Sequence, residues 1–363
     1  MNTSLRRVAQ RFPLIARPRP VCLPLRSRVA ELVDLAYTAA DGTKTNRLTV
    51  AAETLNKAAL IASDCGIPEM ARSLCWRHFT AHLSAWPLDA SRARVALEPL
   101  VNLARLTVRE REGVRGYLLL KALFHAVSSG STADLDGHRV SFGELTRTDD
   151  DLRTVRTWLW GVFLAEGVRA LISAGRWDQA VAHAQRHRGV GRRLLDGRQA
   201  VIVAHCLAGD LDTALRLLTD SVPEQPWEHA VADCLEMLYG HAAGRSPENK
   251  LAAYGELGRS PALLVFRTRL GLTVLDVAPS SGDQVFASLL GDILTTADGY
   301  TAREVLVHER GSTLLSLAER RRLTSIVRNA GLGSGAIPTP LMSAFLSAIQ
   351  MSEAAMKAAL TAS

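Results

Sequence analysis

The sequence predicts an all-α chain, an α-solenoid of antiparallel helix pairs interrupted by one small β-hairpin. Three observations predict it. Aromatic residues make up only 5% of the chain while Ala and Leu recur throughout, a balance that suits packed helices better than sheets. From Val29 onward apolar residues return at helical spacing, in segments closed by Gly or Pro. Finally, AGRWDQA over Ala174–Ala180 comes back as AGDLDTA over Ala208–Ala214, an interval of 34 residues.

The chain opens on a basic stretch. Arg6, Arg7, Arg11, Arg17, Arg19, Arg26 and Arg28 precede the first acid, Glu31. These seven arginines equal the whole net charge of +7, so the remainder carries 36 basic and 36 acidic residues. Phosphate-binding domains concentrate base on a folded face, and a neutral body argues against nucleic acid as its partner. Pro13, Pro18, Pro20 and Pro24 deny this segment a long helix. Residues 1–28 therefore read as a flexible arm, with a mitochondrial presequence as the alternative because acids are missing. The arm lacks the apolar centre of a secretory signal. Cys22, Cys65, Cys75, Cys206 and Cys234 form no CxxC, and an odd count without an export signal points to reduced, buried thiols in a cytoplasm. No uncharged apolar run reaches the ~18–20 residues that cross a bilayer; TWLWGVFLAEGVRALI is broken by Glu166 and Arg169.

Helices are expected at Ser27–Ala40, Asn46–Cys65, Glu69–Ala85, Ser91–Arg109 and Gly113–Ser128. Within DCGIPEMA, Gly66 supplies the left-handed stop and Pro68 the first turn of the following helix. Asp136-Gly137, between Leu135 and Val140, signals a two-residue hairpin, an insertion at about 131–146. Thr148 caps the next helix, with Asp149, Asp150 and Asp151 at its positive end. Trp160, Leu164, Val168 and Leu171 form its core stripe, which leaves Trp158 to pack elsewhere or line a groove. That helix stops at Gly175 and a second runs from Trp177 to His187; the cycle repeats with a helix to Leu207, a stop at Gly209 and a helix over Leu211–Thr219. Further helices follow at Trp227–Ala243, Pro247–Leu257 and Ala262–Val277; after a break at APSSGD come Gln284–Ala297, Thr301–Glu309 and Thr313–Asn329. GLGSGAIPTP reads as a linker over 331–340 before a terminal amphipathic helix bearing Leu341, Phe345 and Ile349. The expected organisation is an arm over 1–28, a helical-repeat domain over 29–278, and C-terminal helices over 279–363.

Each repeated position has a physical reason. Gly175 and Gly209 reverse the chain, and Ala174, Ala180, Ala208 and Ala214 are small where two helices cross closely. Asp178 and Asp212 sit in the first turn of the second helix, where the dipole favours a negative charge. The 34-residue period and the Gly–x–apolar–x–x–Ala spacing resemble tetratricopeptide (TPR) repeats. Gly66 with Ala71 keeps the same offset, and position 111 with Gly116 gives a fainter match. Leu171 and His205 stand where the family carries an aromatic residue. The resemblance implies a right-handed solenoid in which the first helix of each pair faces a ligand. It places Ala165, Arg169, Ile172, Gln199, Val203 and Cys206 on the concave face, and Trp158, excluded from the core stripe by rotation, is counted with them as a partner-binding candidate. This set is mostly apolar and lacks the Lys/Asn clamp of chaperone-binding members, so an apolar or amphipathic segment is the expected occupant.

Catalytic signatures are missing: no GxSxG, HExxH, paired CxxC or kinase set occurs. His183 and His187 lie four apart without a third metal ligand nearby and read as a solvent-facing pair. Arg188, Arg192, Arg193 and Arg198 surround glycines in RHRGVGRRLLDGR and form the candidate anion site; the plainer reading is a solvated inter-repeat turn. Glu304 and His308 share a helix face and read as surface ion pairs, while Asp134 and Asp136 suit a turn better than a metal. No cofactor or metal is expected. The sequence thus points to a non-catalytic scaffold or regulatory protein that binds a protein or peptide. Its architecture is similar to the TPR sensor halves of bacterial regulators, without a helix-turn-helix head. The alternative is an enzyme or small-molecule sensor with its site at His138, Arg139 and Glu144 of the hairpin, or at the basic inter-repeat loop. Contact of the arm with nucleic acid or an anionic membrane is a third possibility. The terminal helix is expected to cap the stack, with homodimerisation as the sharper alternative.

Overall fold

A computed structural model describes residues 3–43, 46–245 and 251–361. The described residues are mostly helical. Before the hairpin come α1 (Thr3–Ala9), α2 (Leu25–Ala40), α3 (Arg47–Asp64), α4 (Pro68–Leu83), α5 (Ala90–Arg109) and α6 (Gly113–Ser129). Strands β1 (Thr132–Leu135) and β2 (His138–Ser141) follow. Then come α7 (Asp149–Ser173), α8 (Trp177–Arg186), α9 (Asp196–Ala208), α10 (Leu211–Thr219) and α11 (Pro226–Ala242). The remainder is α12 (Ala252–Gly255), α13 (Leu264–Val277), α14 (Pro279–Thr296), α15 (Gly299–Val307), α16 (Glu309–Thr313), α17 (Leu317–Asn329) and α18 (Thr339–Thr361). No helix among the described residues is long and apolar enough to cross a membrane.

The chain divides into two compact units: unit I is Met1–Leu23 with Leu171–Asn329, and unit II is Pro24–Ala170 with Ala330–Ser363. The expected run over 29–278 is therefore divided within α7, and the expected C-terminal region over 279–363 is split after Asn329. Sequence spacing reports local hairpins; it carries no record of which distant segment completes each core.

Four helix-to-helix turns share one backbone geometry. Gly66, Arg111, Gly175 and Gly209 have φ of 79°, 67°, 70° and 78°. At each, the left-handed residue donates to the carbonyl three before it and its successor to the carbonyl five before that successor, as in Gly175→Ile172 (2.8 Å) and Arg176→Leu171 (2.9 Å). This is a Schellman stop, which satisfies carbonyls the ending helix leaves bare. Five residues past each stop lies a buried small residue: Ala71, Gly116, Ala180 or Ala214. At Gly116 a Cβ would lie 2.7 Å from Val108 Cγ2, so the α5–α6 crossing tolerates nothing larger. The fainter match at 111 is thus the same turn built without glycine.

In unit II, α18 packs on α2, α3 and α4, burying Phe345, Ile349 and Met356 in one core with Leu32, Leu55 and Phe79. The glycine-rich stretch before it docks rather than swinging free: Gly333 N–H donates to Asp64 O and Gly335 N–H to Cys65 O, both 2.7 Å. Asp64, buried, takes Arg28 at 2.5 Å and Arg109 at 3.2 Å, which joins α2, α3 and α5. The expected hairpin is present. Leu135 pairs with His138 across Asp136 (φ 52°) and Gly137 (φ 83°), both positive as a tight turn between twisted strands requires. Thr148 caps α7 through the Asp151 N–H.

Several expectations change. Of the expected α7 stripe, Val168 and Leu171 are buried, but Trp160 is 38% exposed and Leu164 half-buried, because the first half of the helix buries Val155, Leu159 and Phe163 instead. Trp158 packs half-buried with Arg94 over its ring. The break at APSSGD shrinks to Ala278, since Pro279 begins α14 at a position where its missing N–H costs nothing. The helix expected from Thr313 starts at Leu317, after the separate α16. The start of the helix expected at Pro247 lies outside the described residues.

Candidate functional site

The largest departure is at the N-terminal segment, expected to be a flexible arm. Leu5, Val8, Ala9 and Phe12 fall at i, i+3, i+4 and i+7, an apolar stripe behind the arginines. All four are buried, with Leu14, in a single cluster shared with Val203 of α9, Val231 and Leu235 of α11, and Phe266 and Leu270 of α13. Residues 3–23 form a strap: the short helix α1, then a run without regular secondary structure ending before α2. The prolines that forbid a long helix are compatible with such a strap. Charge alone suggests a solvated tail; the apolar residues between the arginines are what hold the segment down.

Polar groups fix the strap at successive points. The fully buried amide of Gln199 accepts the Leu14 N–H at Oε1 (2.7 Å) and donates through Nε2 to Leu14 O (2.8 Å) and Leu194 O (2.6 Å). It thus binds both main-chain groups of one residue, a readout independent of that residue's side chain. Arg11 pairs with Asp276 at 2.7 Å and Arg17 with Asp196 at 3.1 Å. Arg19 N–H donates to Ala262 O (2.8 Å). Asp298 caps α15 by accepting Thr301 N–H (2.8 Å), and its other oxygen accepts Cys22 N–H (2.6 Å). Arg7 pairs with Glu309. Of the seven arginines read as a flexible arm, Arg7, Arg11 and Arg17 pair with acids of unit I and Arg28 with Asp64 of unit II.

Beside α1, helices α13 and α15 with the start of α16 enclose a cleft of about 470 Å³, lined by Arg7, Gln10, Arg11, Arg269, Leu272, Glu304, Val307, His308 and Glu309. Its charges are spoken for. Arg269 bonds Glu304 at 2.9 Å. His308 Nδ1 accepts the Gly311 N–H at 2.8 Å, so the ring proton sits on Nε2 and faces Asp276 at 3.2 Å. Burial opposes ionisation of Asp276, but hydrogen bonds from His308 and Arg11 and the charge of Arg11 outweigh it and hold its carboxyl below the usual carboxylate range. With both ring nitrogens engaged, His308 has none to offer a substrate as general base. The expected surface pairing of Glu304 and His308 is thus corrected at His308, which is buried.

The residues expected on a concave face divide between the units. Trp158, Ala165 and Arg169 lie in unit II; Ile172, Gln199 and Val203 lie in unit I and are closed to solvent, with Cys206 buried as well. Gln199 and Val203 are covered by the strap they help to bind. The candidate anion arginines do not converge. Arg193 pairs with the buried Glu228, and Arg198 donates to Leu217 O and Ser221 Oγ. Arg192 donates to Asp220 O, while Arg188 is exposed at a left-handed turn position. Three of the four thus stitch the α8–α9 connection and the start of α9 to residues 217–228. His183 is buried, not solvent-facing, with its ring centroid 4.8 Å from that of His187. Among the described residues no group of three or more His, Cys, Asp or Glu could hold a metal ion.

At the hairpin, Asp134 accepts the Gly137 N–H and Asp136 takes Arg72 (2.9 Å) and Arg115 (2.6 Å), roles in turn and anchorage. His138, Arg139 and Glu144 are exposed, His138 stacked on Trp76. All five cysteines are buried and form no disulfide, and burial pushes the Cys75, Cys206 and Cys234 thiols up to about 12. Sequence reasoning missed a buried histidine pair on α4. His78 and His82, one turn apart, have no hydrogen-bond partner among the described residues at any ring nitrogen. Burial lowers them to about 3 and about 4, His78 further because His82 adjoins it. Their spacing in WRHFTAHL was the available signal. Comparison with known proteins adds no relative to this picture: no family model, no curated protein and no solved structure matches the chain.

Proposed function

We propose that the chain is a non-catalytic helical-repeat protein of solenoid type, a scaffold or regulator that works by binding a segment of another protein. The observation that carries this reading is the amide of Gln199 holding both main-chain groups of Leu14 in an apolar groove of α9, α11 and α13. Helix grooves that recognise peptides combine apolar holes for spaced side chains with a few fixed polar contacts, and this groove has both. The four identical helix stops support the repeat reading. The hydrogen-bonded state of His308 favours binding over acid–base chemistry.

Panning the purified full chain, as wild type and as Arg11→Ala/Arg17→Ala in which the strap is less firmly held, against a random peptide display library tests the reading. The expected result is enrichment of amphipathic sequences whose binding falls at least tenfold on Val203→Glu in a chain that keeps its helical circular dichroism. A library that yields no enriched sequence, or only sequences indifferent to that substitution, would reject the groove as the binding face.

A further inference from the structure

The strap is a peptide already seated in the groove, so its chemistry states what the groove selects. Resting on the reading above, we infer that the natural partner presents a segment of the strap's own type and takes its place: a short amphipathic helix followed by a run without regular secondary structure. The partner's segment is apolar where the strap has Leu5, Val8 and Ala9 on its helix and Phe12 just beyond it. It bears arginine where Arg11 meets Asp276 and Arg17 meets Asp196.

Three features of the groove fit that occupant, and the strap alone accounts for each. The apolar cluster accepts the i, i+3, i+4, i+7 stripe. The Gln199 amide reads the main chain beyond the helix, whatever side chain stands there. Asp276 and Asp196 supply two carboxylates, both matched by guanidinium. Arginine suits them better than lysine because its planar fork can hold the carboxylate and a neighbouring acceptor together; Arg11 does so, reaching Asp276 and Leu272 O.

The strap also has the properties of an exchangeable resident. α1 spans seven residues, too few to persist as a helix away from the groove. Residues 13–23 belong to no strand ladder and are held by separate side-chain and main-chain bonds, which can break one at a time. A tethered segment competes at an effective concentration of order mM. A partner therefore enters only if it binds more tightly than the strap or if the strap is loosened.

The test loosens the strap and leaves the groove intact. A fluorescein-labelled peptide of residues 3–23 is titrated by anisotropy into full-length wild type, Arg11→Ala/Arg17→Ala, and Val8→Ala/Arg11→Ala/Phe12→Ala. The expected result is peptide affinity at least tenfold higher for the loosened chains than for wild type, reversed by adding Gln199→Ala. Equal affinity for all chains, or binding to none, overturns the inference. The double substitution removes two guanidiniums and keeps every apolar contact of the strap, so the outcome remains readable where the triple variant fails to fold. If display peptides bind the groove but loosening the strap leaves their affinity unchanged, the inference falls and the proposed function stands. If display finds no groove binder, the function falls as well.

Discussion

Acid should weaken unit II through His78 and His82 in a way that can be calculated. Both rings are buried without hydrogen-bond partners among the described residues, so a proton placed on either would be a buried, unpaired charge. The folded values, about 3 and about 4, lie below the ordinary 6.5. Their contribution to stability is therefore complete above about pH 6.5 and is lost as pH falls towards the folded values. At pH 5 an unfolded histidine is almost fully protonated and these folded ones are almost wholly neutral. Each then costs about 2 kcal/mol relative to pH 8, about 4 kcal/mol together. Carboxylates such as Asp151, held below the usual range by hydrogen bonds from Thr148 and the Ala90 N–H, add their own acid sensitivity, so the informative quantity is a double difference. Urea unfolding of wild type and His78→Leu/His82→Leu, read at α4 by hydrogen–deuterium exchange at pH 8 and pH 5, isolates it. The variant should lose about 4 kcal/mol less than wild type between the two pH values. An equal loss would show that the rings protonate in the folded state or are solvated, and would refute the reasoning.

Other perturbations follow from the same geometry. Asp64→Ala leaves Arg28 buried without its carboxylate and should destabilise unit II by about 3–5 kcal/mol, while Arg28→Leu/Asp64→Leu should cost much less, both read by urea unfolding. Gly175→Ala meets no neighbour within 4 Å, so its cost, about 1 kcal/mol, is backbone strain alone; Arg111→Gly, at the same left-handed geometry, should stabilise by a similar amount. Paired thermal melts would show opposite signs. Ala180→Leu, at a closed helix crossing, should cost about 1–3 kcal/mol in the same assay. Asp298→Ala removes a helix cap worth about 1 kcal/mol and the acceptor for Cys22 N–H, and should speed hydrogen–deuterium exchange at the Cys22 amide.

Much of the local architecture was legible. Gly66, Gly175 and Gly209 announced helix stops because a left-handed residue is most easily glycine, and Asp136-Gly137 announced the hairpin for the same steric reason. Arg111 shows the limit of that rule: the turn forms there without its usual residue, so only the buried Gly116 five positions later marked it. In the first half of α7, Trp160 and Leu159 offer competing stripes on adjacent faces and only the packing decides between them, while Val168 and Leu171 are buried as the spacing predicts. Gln199 was placed on a ligand-facing surface by the repeat spacing, yet its ligand lies 185 residues away in the same chain. No local pattern encodes such a pairing. The strap itself was visible as Leu5, Val8, Ala9 and Phe12, but prolines and arginines dominate that stretch and suggest a tail. Whether a basic amphipathic stretch folds back depends on a receptor surface elsewhere in the chain, here supplied by α9, α11 and α13.

The central claim is that an amphipathic segment sits in a groove built to hold it. Hydrogen–deuterium exchange on the full-length protein measures this most directly, at the amide of Leu14 and along α1. The account predicts slow exchange at Leu14, whose N–H is bonded to Gln199, and faster exchange there in Gln199→Ala with α9 unchanged. Leu14 exchanging within seconds in wild type, at the rate of an unstructured peptide, would contradict it.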